Sequence, residues 1–128
     1  TDTTVTYDAC DFGGNIVDGT VSRSGTEVDV ALVFAQTDTD TSSDIEINGS
    51  LDVSPTAIVG YLDLKATLVT EGTKITSSLD GDFDIELSDG CAVGGEMEVH
   101  TTARSGAQSI DVWVKAEYGP SCGDVVVR

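Results

Sequence analysis

His100 is the one histidine of the chain and the first residue to test for acid–base chemistry. A histidine base needs a nucleophile and an orienting partner within hydrogen-bond reach. Here the residues at alternate positions before it are Glu96 and Glu98, and no G-x-S-x-G nucleophile elbow occurs. Carboxylates are so frequent that no pair stands out as a glycosidase-type dyad. The chain is therefore read as non-enzymatic.

A second cluster could bind a cation. Asp38, Asp40, Ser42 and Asp44 place oxygens at alternate positions, as the early ligands of a calcium loop do. The glycine such a loop needs at its sixth position is Ser43, and its twelfth position holds Gly49 instead of a bidentate Glu. This is not an EF-hand. Ca²⁺ at these four residues, the metal site the sequence suggests, stands as an expectation. Asp80, Asp82, Asp84 and Glu86 form another acidic stripe, with Glu96 and Glu98 following. Like charges across strands repel, and Ca²⁺ or salt would relieve them.

The elements that must position these groups follow from composition and period. The 128 residues hold sixteen each of Val, Thr and Asp, with fourteen Gly and only two Pro. Val and Thr suit pleated strands, and Asp and Gly suit turns and polar faces. Apolar residues alternate nearly throughout: 28, 30, 32 and 34; 45, 47, 51 and 53; 58, 62, 64, 66 and 68; 110, 112, 114 and 116. Period two is the strand signature. It predicts strands near 3–9, 15–23, 27–35, 44–54, 57–70, 73–88, 92–103, 108–118 and 123–128. Only the 36–43 connection is expected to be long, so the strands should run as an up-and-down antiparallel meander in a single domain of residues 1–128.

Asp18-Gly19, Asn48-Gly49 and Asp80-Gly81 would ordinarily signal hairpin turns. A turn at Asn48-Gly49 would pair Ile47 with Ser50 and Ile45 with Asp52, mixing the faces. A continuous strand keeps 45, 47, 49, 51 and 53 together, and register follows the apolar face. Glycines within apolar strand faces, here 19, 49, 60, 81 and 95, bend a sheet. They predict a strongly curled sheet or a closed β-barrel, apolar inside and acidic outside. An outer-membrane barrel would instead crowd its lumen with unpaired carboxylates, and it lacks aromatic girdles, so membrane insertion is not expected.

The meander sets the cysteine reading. Cys91 precedes the seventh strand and Cys122 precedes the ninth, so both fall at one end of the sheet and should form a disulfide. Cys10 ends the first strand at the other end and is left for an intermolecular bond or a free thiol.

Partners follow from charge and exposure. Twenty-three Asp and Glu against six Lys and Arg give a net charge of −17, which excludes a nucleic-acid surface. Parity turns Tyr61, Trp113 and Val33 outward, the beginnings of an outer apolar patch. The run 125–127 is apolar on both faces and reads as a strand covered on both sides. Residues 1–10 form a Thr-rich strand anchored by Val5 and Tyr7, suited to pairing or exchange with a neighbouring copy.

The leading expectation is a structural or adhesive subunit that forms homo-oligomers or filaments through strand pairing or the outer patch. A monomeric barrel holding a small hydrophobic ligand is the alternative, and a calcium-dependent surface-binding module is the third reading. The cysteines and the absence of an initiator Met suggest a secreted, periplasmic or cell-surface protein whose signal peptide has been removed.

Overall fold

The computed structural model describes residues 2–38 and 40–128. Nine strands follow one another: β1 (Thr3–Phe12), β2 (Asn15–Ser24), β3 (Glu27–Thr37), β4 (Thr41–Val53), β5 (Ala57–Thr70), β6 (Thr73–Ser88), β7 (Cys91–Ser105), β8 (Gln108–Tyr118) and β9 (Val125–Val127). They form one sheet in the order β1 to β9, every neighbouring pair antiparallel. The all-β meander is thus as the alternation predicts.

Turn chemistry explains why the chain reverses where it does. Gly13-Gly14, Glu71-Gly72 and Asp89-Gly90 each place both residues at positive φ, the backbone of a type I′ hairpin. Asp18-Gly19, Asn48-Gly49 and Asp80-Gly81 run through the middle of β2, β4 and β6 instead. The flanking apolar residues decide between these outcomes. The connection expected at 36–43 is shorter than its polar sequence suggests. Thr37 pairs with Ser42, and the amide of Asp38 donates to the carbonyl of Thr41. Thr39, within that connection, lies outside the described residues.

The register carries one apolar face across the whole sheet. Phe34 lies opposite Val17 and Ile45, Ile45 opposite Ala66, Leu64 opposite Leu79, and Val99 opposite Val114. Glycines alternate with large residues on this face. Gly49 sits between Val30 and Leu62, and Gly60 between Leu51 and Phe83. A Cβ at Gly49 would meet Leu62 Cδ1 at 2.8 Å, so the leucine already fills that space. The opposite face carries Glu46, Asp63, Asp80, Asp82, Asp84, Glu96 and Glu98.

The expected closed barrel or strong curl does not form. Among the described residues the outer edge of β1 pairs with no strand, and substantial packing joins only strands adjacent in sequence. Closure requires matched edges and a consistent stagger. β1 offers a ten-residue edge, while the far edge is split between the three residues of β9 and residues 108–114 of β8, so no single strand matches β1. The interior glycines do not bring distant strands together. A single-layer sheet also cannot shield its apolar residues: among the described residues only Val17, Ile85 and Ala116 are buried hydrophobics. Val125, Val126 and Val127, expected to be covered on both sides, are all exposed, Val127 at 64%. No second layer lies over β9 among the described residues.

Candidate functional site

The apolar face is the largest candidate. Sixteen large apolar side chains remain exposed among the described residues. Twelve share this face, while Val59, Tyr61, Trp113 and Val126 lie on the acidic one. The twelve extend from Val5 and Phe12 in β1 to Val125 and Val127 in β9. A concavity of about 330 Å³ opens on the face at β1–β3, lined by Tyr7, Phe12, Asn15, Val17, Leu32 and Phe34. Tyr7 and Phe12 meet there edge to face with ring centroids 6.4 Å apart.

Sequence reasoning assigned this face to a barrel interior and so missed it as a surface. The signal was present. Nine strands in one meander use nearly every described residue, and among the described residues no helix or second group of strands forms a covering layer.

The proposed outer contacts are dispersed. Val5 and Tyr7 belong to the apolar face; Val33, Tyr61 and Trp113 belong to the acidic one. Across the strands from Tyr61 come Asp82, Glu98 and Lys115, so charged residues intervene before β8 and Trp113. The structure does not join Val33, Tyr61 and Trp113 into one outer patch.

His100 is held by two neighbours on the acidic face. Its Nε2 lies 2.5 Å from Asp111 Oδ1, and its ring stacks on Trp113 with centroids 3.8 Å apart and planes 6° from parallel. Among the described residues no hydroxyl hydrogen-bonds to it. The nearby hydroxyl pair, Ser78 with Thr102, is satisfied internally. This arrangement fixes an imidazole without aiming it at a nucleophile.

The acidic face has its own electrostatics. Asp63 lies opposite Asp80, Asp82 opposite Glu98, and Asp84 opposite Glu96. Partial burial raises the Asp63 pKa above the usual carboxylate value. The charge of Asp80 and a hydrogen bond with it add to the shift, as does the charge of Asp82, while Lys65 opposes them. At the β8 end cations relieve the crowding: Lys115 Nζ lies 2.9 Å from Glu96 Oε2 and 3.7 Å from Glu117 Oε1. The Glu96 hydrogen bond and charge raise the Lys115 pKa, with Glu117 and Glu98 adding to the effect.

Asp38 and Asp40 lie at the β3–β4 turn, and Ser42 and Asp44 follow in β4. Among the described residues no three His, Cys, Asp or Glu side chains are grouped to hold a metal ion. Cys91 and Cys122 form the expected disulfide, with Cα atoms 5.4 Å apart. Cys10 is a free, half-buried thiol beside Val17 on the apolar face.

Comparison with family models, curated proteins and solved structures finds no match to this chain.

Proposed function

We propose that the chain is a non-catalytic structural or adhesive subunit of an extracellular assembly, built to associate with copies of itself. The observation that carries this reading is the uncovered apolar face. Contiguous exposed apolar patches beyond a few hundred Å² mark binding surfaces on soluble proteins. Open edges supply a second route. Among the described residues β1 has a free side, and β9 pairs only near the end of β8, leaving 108–114 available for strand addition. The disulfide supports an oxidising, extracytoplasmic setting.

The concavity at β1–β3 supports a second reading, a site for a small hydrophobic ligand. The two separate in one experiment. Light scattering and negative-stain microscopy of unreduced protein at neutral pH should find particles heavier than 13.3 kDa. A persistent monomer that takes up a lipophilic dye would overturn self-association and favour the ligand reading.

A further inference from the structure

Resting on the self-association reading, we infer that the occupant of the apolar face is a second copy of this chain. The two copies pack apolar face to apolar face as a closed two-sheet sandwich. The exposed area sets the scale. A folded monomer of this mass exposes about 6,450 Å² by the usual scaling, whereas this chain exposes 8344 Å². The excess, about 1,900 Å² per chain, would give an interface of about 3,800 Å² in total, within the roughly 2,000–5,000 Å² of obligate homodimers.

The shape of the exposed surface points the same way. Its apolar residues span nine strands, about 38 Å at the usual strand spacing. A small ligand in the β1–β3 concavity would leave Leu68, Leu79 and Val112 in water. A second sheet covers them together, at the roughly 10 Å separation of face-packed sheets.

The placement of charge favours a copy over a lipid surface. The pairing turns both acidic faces outward, whereas a chain of charge −17 is repelled by anionic lipid headgroups. The acidic faces then stand farther apart than the roughly 8 Å Debye length at physiological salt. An isologous contact of this kind closes at two copies.

The test measures mass by light scattering on the full unreduced chain, from about 100 µM downward in physiological salt, with microscopy alongside. The expected species is twice 13.3 kDa, held less tightly at low salt. Val112→Glu alters a half-exposed side chain on the apolar face and should weaken the pair at least a hundredfold, since it buries an unpaired charge. Ile110→Lys, at a side chain 63% exposed, repeats the test where the monomer tolerates charge more readily. Trp113→Glu, on the acidic face, should leave the mass unchanged.

In the wild type, binding of an apolar-surface dye should rise as dilution lowers the mass. Open-ended filaments indifferent to Val112→Glu and Ile110→Lys would overturn face pairing while keeping self-association through the edges. A monomer throughout would overturn both. A dimer broken by Trp113→Glu alone would place the contact on the wrong face and overturn the inference.

Discussion

Replacing Asp63 with Asn should stabilise the fold at neutral pH. Asp63 lies directly opposite Asp80 on the acidic face, half-buried, with its pKa raised first by that burial and then by Asp80. A carboxyl with a raised folded pKa binds more protons folded than unfolded. Its contribution to stability is fully present below the unfolded value and is lost as pH rises through the folded one. At pH 7 the site is therefore unfavourable. Like charges directly opposite across strands cost on the order of 0.2–1 kcal/mol. The amide removes the repulsion and can donate to the Asp80 carboxylate, so a gain of about 0.5–1 kcal/mol follows. Unfolding entropy for 128 residues is about 0.27 kcal/mol/K, which makes this a rise of about 2–4 °C in Tm. Thermal unfolding of both proteins at matched concentration should give the full gain at pH 7 in about 10 mM salt and a smaller one in about 150 mM salt. At pH 3, where Asp63 is protonated, the gain should vanish. A gain persisting at pH 3, or a loss at pH 7, would refute the repulsion account.

Backbone geometry makes a second expectation. Gly95 sits at φ +83°, where a Cβ would lie 1.9 Å from the Asp84 carbonyl oxygen; Gly106, at φ +59°, faces open space. Urea unfolding should find Gly106→Ala costing about 1–2 kcal/mol, the left-handed penalty alone, and Gly95→Ala clearly more; equal costs would refute the clash. The Cys91–Cys122 bridge joins residues 31 apart, for which loop closure gives about 3.7 kcal/mol. Cys122→Ser should thus lower Tm by roughly 14 °C on the same entropy scale, while Cys10→Ser should leave it nearly unchanged. Equal losses from both would show that Cys10 packing matters as much as the bridge.

The strands were legible because their causes are local. Side chains alternate across a pleated backbone, so Ile45, Ile47, Leu51 and Val53 had to share a face whatever lay beyond them. The same reasoning kept Asn48-Gly49 inside a strand. Once the meander was known, strand direction put Cys91 and Cys122 at one end and Cys10 at the other. The expectations that differed concerned relations between distant parts. Glycines 19, 49, 60, 81 and 95 allow strands to bend, but do not tell whether any bends add up to bring β1 round to β9. Closure depends on accumulated twist and matched edges, and the three-residue β9 offers too little edge. A doubly apolar run such as Val125–Val127 implies a cover only if some other element is there to provide it. Tyr61 and Trp113 shared a face by parity, yet only the register revealed the charged residues between them. Local sterics therefore determined the strands and their two faces, while long-range pairing left the apolar face open.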